Sequence, residues 1–124
     1  MRIRITIAYD GRDFEGWQVQ PGRRTVQGAL GQALSGLYAE DVHVVGAGRT
    51  DTGVHATGQV AHFDVARGRV PAEKLALAIR HLLPRDILVR DAALVPDTFH
   101  ACYDATSRRY RYRFVTGCRF PHER

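Results

Sequence analysis

Residues 2 to 9 set Ile3, Ile5, Ile7 and Tyr9 on one side of the chain and Arg2, Arg4, Thr6 and Ala8 on the other, the period-2 pattern of a half-buried strand. Asp10-Gly11 ends it. After a loop holding Phe14, Trp17 and Pro21, Thr25 stands where a helix cap belongs, and Val26, Ala29, Leu30, Ala33, Leu34 and Leu37 recur at helical spacing. Gly28, Gly31 and Gly36 each cost that helix up to about 1 kcal/mol relative to alanine, so packing must hold it. Strands are predicted over 42–46 and 58–65. Pro71, suited to a first helical turn, opens a second helix with the apolar face Leu75, Ala78, Ile79 and Leu82, and Pro84 stops it. Residues 86–95 and 108–115 read as further strands.

The resulting order, βαββαβ with one strand appended, predicts an α+β fold: a ferredoxin-like (RRM-like) plait. Two helices cover one face of an antiparallel sheet and leave the other open for a ligand. RNA-recognition modules share this plait, but a fold alone does not decide function. The 124 residues amount to one domain, 44% hydrophobic and 25% charged, with no repeat. No apolar run approaches the roughly 18 residues of a membrane span, and the alternating N-terminus lacks the apolar block of a signal peptide. The expectation is a cytoplasmic protein with no membrane contact. Cys102 and Cys118 have neither zinc-site spacing nor the density of a disulfide scaffold, and read as free thiols.

Charge narrows the class of partner. The formal net charge is +5, and of 18 basic residues only Lys74 is a lysine. Arg108, Arg109, Arg111, Arg113, Arg119 and Arg124 fall in the last seventeen positions, where Glu123 is the single acid. Guanidinium groups pair bidentately with phosphates and stack on bases, so this aromatic-interleaved tail suits RNA better than a membrane surface. Over 108–115, period 2 puts Tyr110, Tyr112 and Phe114 on one face and Arg109, Arg111 and Arg113 on the other. An entirely structural reading makes all three aromatics core, and for Tyr112 and Phe114 it is preferred.

The stretch GAGRTDTGVHATGQ, 46–59, admits several readings of Asp51. A dinucleotide loop needs glycine at its third fixed place and a following helix; here Asp51 stands at that place and a strand follows. An aspartic protease would use Asp51-Thr52-Gly53 from two chains to share a proton, but the neighbouring Arg49 favours the ionised form and works against sharing. A nucleophilic carboxylate requires an ionised group on glycine-permitted turns beside a guanidinium, and the stretch supplies these. A turn-capping aspartate paired with Arg49 remains the bland alternative. Asp51 with His55 and His62 also makes a conceivable but disfavoured metal site, and His100 reads as a structural histidine.

GAGRTDTGVHATGQVAHF (46–63) resembles the signature of the TruA family of tRNA pseudouridine synthases. YDGRDFEGWQVQP (9–21), TVQ (25–27), the LP at 83–84 and TFHACYDATSRRYRY (98–112) agree with that family in the same order. The resemblance implies isomerisation of uridine to pseudouridine in the anticodon arm of tRNA, at tRNA positions 38 to 40, with no cofactor and no metal. It implies that Asp51 is the catalytic aspartate, that Arg49 contacts RNA and helps hold the target base out of its stack, and that Tyr110 packs on the flipped uracil. Arg109 and Arg111 beside it, with Trp17 and Gln18 of the GWQ stretch, are then candidates to line the RNA path; a buried core plug is the alternative for Trp17. The carboxylate has three routes: addition to C6 of uracil, attack at C1′ of the ribose, or removal of the C2′ proton.

Two positions depart from the family pattern: Cys102 stands where arginine is common, and Arg80 where asparagine is usual. Family members are also roughly twice as long, with a cleft between two similar halves. The expectation is therefore that residues 1–124 form the N-terminal half that carries the catalytic aspartate, without its C-terminal partner. On that basis the isolated chain should have little or no activity, should self-associate through an exposed apolar edge and should act as a homodimer on tRNA. The rival reading is a non-catalytic RNA-binding ferredoxin-like module, although no RNP1-type pattern is present.

Overall fold

The computed structural model describes residues 1–48 and 53–101; the predicted strand at 108–115 and both cysteines lie outside them. The elements are β1 (Arg2–Tyr9), α1 (Val26–Tyr38), β2 (Val45–Gly46), β3 (Ala56–Asp64), α2 (Ala72–Ala78) and β4 (Ile87–Val95), with a short 3₁₀ turn at Gly11–Asp13. The sheet runs in the order β2-β3-β1-β4, and each neighbouring pair is antiparallel. This is the strand order of the ferredoxin-like plait, in an α+β arrangement.

Alternation in β1 produces the expected division of faces. Ile3, Ile5, Ile7 and Tyr9 are buried, and they join Leu30 and Leu34 of α1, Leu75 of α2, Ile79, Phe63 and Val89 in one core. Thr25 caps α1 as its spacing predicts, its hydroxyl accepting the Gly28 N–H at 3.2 Å. Tyr38 closes the helix with its ring buried and its hydroxyl donating to the Val70 carbonyl at 2.8 Å.

Two elements are shorter than predicted. Residues 42–44 alternate like a strand, but α1 supplies their partners: Ser35 Oγ accepts the Val42 N–H, and Gln27 Nε2 donates to the Val44 carbonyl. Only Val45 and Gly46 are left to pair with β3. The second helix ends at Ala78, where Arg80 and Leu82 donate N–H bonds to Leu77 and Ile79, tightening the chain into turns. Leu82 is consequently exposed, and the apolar face ends at Ile79.

The face away from the helices carries Arg2, Arg4 and Thr6 from β1. Arg2 holds Asp64 through two bonds of 2.8 and 2.9 Å, and Arg4 reaches Asp91 at 3.1 Å. Residues following β4 fold back over part of this face: Arg2 also donates to the Phe99 carbonyl, and Ala101 N–H donates to His62 Nδ1 at 3.0 Å. His62 is buried beneath them, its ring 4.9 Å from that of His100. Among the described residues no helix is long and apolar enough to cross a membrane.

Candidate active site

Asp51 and Arg49 belong to the stretch 49–52, and Tyr110, Arg109 and Arg111 to the tail; all five lie outside the described residues. The surroundings of the 49–52 stretch are described on both sides. It lies between Gly48, two residues past β2, and Gly53, three residues before β3, near the end of the sheet where β1 ends and β3 begins.

The entry side continues the β2–β3 ladder. Ala47 N–H donates to the Val60 carbonyl at 2.8 Å, and the Gly48 carbonyl accepts from Gln59 Nε2 at 2.7 Å. Gly46 allows the Trp17 ring to close on the backbone, since a Cβ there would stand 2.7 Å from Cζ2. Trp17 is 2% exposed, with its ring 6.3 Å from that of Tyr9, so it packs against the end of β2 from the core side. Gln18, next in sequence, is exposed.

On the exit side the 3₁₀ turn and the residues after it do the holding. Gly53 adopts φ +83°, a conformation open to glycine, and its N–H donates to the Phe14 carbonyl at 3.3 Å. His55 Nδ1 accepts the Gly11 N–H at 2.9 Å. That bond needs the lone pair on Nδ1 and so selects the Nε2–H tautomer. Asp10 Oδ1 stands 3.2 Å from the same nitrogen and is instead bound by Arg12, whose hydrogen bond lowers the Asp10 pKa to about 2. Phe14 is itself covered by Arg24, whose guanidinium sits 4.0 Å above the ring and grips Asp86 through two 3.0 Å bonds. That hydrogen bond from Arg24 holds the Asp86 carboxyl below its ordinary pKa.

Beside this exit side lies a cavity of about 470 Å³ lined by Tyr9, Asp10, Arg12, His55, Arg85 and Leu88 among others. Its rim mixes two cations with carboxylate, imidazole and apolar groups. A larger groove of about 640 Å³ runs along the helix side between α1 and Leu82–Pro84, away from the loop. The structure does not bring the three histidines together: His62 and His100 meet near the far end of β3, while His55 precedes its first residue.

The supporting residues Gly11, Phe14, His55 and Gln59 carry little signal in the linear sequence. Gly11 reads only as the end of a strand, and Gln59 only as a polar position in one. Residues 49–52 are thus flanked on both sides by hydrogen-bonded backbone, beside a cavity whose rim carries Arg12 and Arg85 together with Asp10 and Asp86.

Residues 5–104 match the family model described as tRNA pseudouridine synthase. The chain is 50% identical over 111 residues to tRNA pseudouridine synthase A of Ruminiclostridium cellulolyticum, covering 90% of this chain and 45% of that protein. The same enzyme of Bacillus subtilis is 50% identical over 118 residues, covering 94% and 47%. For that of Akkermansia muciniphila the identity is 52% over 112 residues, covering 90% and 42%. The chain thus spans somewhat less than half the length of these curated relatives.

Proposed function

Because the chain belongs to the tRNA pseudouridine synthase family, we propose that it is the aspartate-bearing part of an enzyme that isomerises uridine to pseudouridine in the anticodon arm of tRNA. The observation that carries this reading is the match over residues 5–104, which contains the whole GRTDTGVHA stretch with Asp51 inside it. In the reaction the N1–C1′ bond of the nucleoside breaks, a C5–C1′ bond forms, the C5 proton leaves to solvent and N1 gains a proton. The proton lost from C5 and the proton gained at N1 balance through solvent, so no other reactant is consumed.

Asp51 is the nucleophile or base. Arg49 favours its ionised form and contacts the RNA, and Tyr110 packs on uracil turned out of its stack. Extrusion costs a few kcal/mol, offset by stacking and phosphate contacts. Arg109, Arg111 and Gln18 contribute to the RNA path, and Trp17 acts on it from beneath as a support, a role its burial favours. Cytoplasmic location and assembly as a homodimer complete the reading. Since the chain spans less than half of its relatives, it should turn over little tRNA alone. Leu88 and Leu94, each more than half exposed on the outer strand β4, support self-association of the isolated chain.

The test is to extend the chain to the length of its relatives, incubate it with an unmodified tRNA carrying uridines at positions 38 to 40, and map pseudouridine by nucleoside. Conversion confined to those positions is expected. Binding of the tRNA with no conversion at any uridine would favour the non-catalytic module instead.

A further inference from the structure

We propose that Gln59 and His55 are positioning residues that clamp the two ends of the four-residue stretch carrying Asp51, an inference that rests on the nucleophile reading above. Gln59 pairs across the sheet with Ile7, whose side chain is fully buried. The pairing directs Gln59 toward the covered side of the sheet, where a polar group needs a partner. Its amide finds one in the Gly48 carbonyl at 2.7 Å, the backbone carbonyl immediately before residue 49. The entry end of the stretch is thus tied to β3 by a side chain of β3 itself.

The exit end is tied by His55 to the 3₁₀ turn that follows β1. Its Nδ1 takes the Gly11 N–H at 2.9 Å, while Gly53 N–H binds the Phe14 carbonyl two residues earlier in sequence. Gly11 permits this approach, since any Cβ there would collide with the Val54 carbonyl. The Asp10 carboxylate stands beside the same imidazole and is itself held by Arg12, and Arg85 and Asp86 line the neighbouring cavity wall. Both clamps therefore issue from one short run of chain, 55–59, and reach backbone that follows β2 and β1, the two strands that flank β3. A reacting carboxylate must be held to within about 0.5 Å, and two bonds at the ends of so short a stretch are suited to that task.

The test compares His55→Leu, His55→Asn, Gln59→Met, the Leu/Met double variant and Asp51→Asn in the chain extended to the length of its relatives, by tritium release from tRNA labelled at C5 of uracil. His55→Leu and Gln59→Met should each lower kcat about 10- to 100-fold with KM changed less than about 2-fold. The double variant should lose less than the product of the two, because both act on one stretch. His55→Asn, whose amide oxygen stands in for Nδ1 as acceptor, should restore kcat to within about 3-fold of wild type, which a mere filler of space would not do. In the 124-residue chain, exchange of the Gly11 amide should quicken relative to the amides of β1 in His55→Leu and not in His55→Asn, a comparison within one molecule that separates loss of this bond from a general loss of stability. Singles that keep kcat within about 2-fold while Asp51→Asn abolishes it overturn the clamp and leave the nucleophile standing. Turnover surviving in Asp51→Asn overturns the nucleophile, and with it the positioning role.

Discussion

Replacing Gly11 with alanine tests how the loop is mounted. An added Cβ would stand 1.9 Å from the Val54 carbonyl oxygen, 2.6 Å from its carbon and 3.0 Å from its nitrogen. All three are backbone atoms, so no side-chain rotation relieves the overlap. Carbon contacts settle at about 3.5 Å, and residues 53–55 must therefore retreat by roughly 1.5 Å or break away from the 3₁₀ turn. Gly11 does not use a positive φ, so alanine meets the contact without any backbone penalty of its own. Overpacking of this kind costs about 1–3 kcal/mol. A displacement of about 1 Å beside a reacting group costs about 100-fold in rate. Urea unfolding of Gly11→Ala should show a lower midpoint at an unchanged slope, and the extended protein should release tritium from C5-labelled tRNA about 100-fold more slowly than wild type. If midpoint and rate both match wild type, residues 53–55 do not rest against Gly11 and this account of the loop fails.

Gly36 is the matching control: it is exposed within α1, a Cβ there meets nothing within 4 Å, and Gly36→Ala should raise stability by up to about 1 kcal/mol in the same urea titration. Leu30→Ala, emptying a fully buried position on the core face of α1, should cost about 2–5 kcal/mol. The carboxyls of Asp64 and Asp86 are held below their ordinary range, chiefly by hydrogen bonds from Arg2 and Arg24. Their stabilising contribution is complete above the unfolded-state value of about 3.9 and fades as pH falls through the lowered folded values. The urea midpoint should therefore stay level from about pH 7 to 5 and decline below about 4, and Asp86→Asn should flatten part of that decline; an unchanged decline would remove Asp86 from the explanation.

What could be read from the sequence was whatever depends on local periodicity. The strict alternation of β1 and the spacing of Val26, Leu30, Ala33 and Leu34 behind Thr25 need no knowledge of distant partners, and both elements form as expected. Predicted strand 42–46 shrank to two residues because Ser35 and Gln27, seven and seventeen positions from their acceptors or donors, satisfy its backbone first. The second helix stopped early because Leu82, in register with Leu75 and Ile79, has no core to enter. At the site, period and spacing left Asp51 open between a turn cap and a nucleophile, and a family pattern was needed to choose. The mounting of its loop was not legible at all, for it rests on contacts such as Gly11 against Val54 and His55, 43 and 44 residues apart, that no local pattern encodes.

The central claim is that the carboxylate of Asp51 performs the isomerisation. Tritium release from C5-labelled tRNA by the extended protein, measured in a single turnover with wild type and Asp51→Asn at equal tRNA occupancy, addresses it directly. The account predicts release by wild type and none above background by the asparagine variant, with tRNA binding unchanged. Release by Asp51→Asn at a rate near wild type would contradict it.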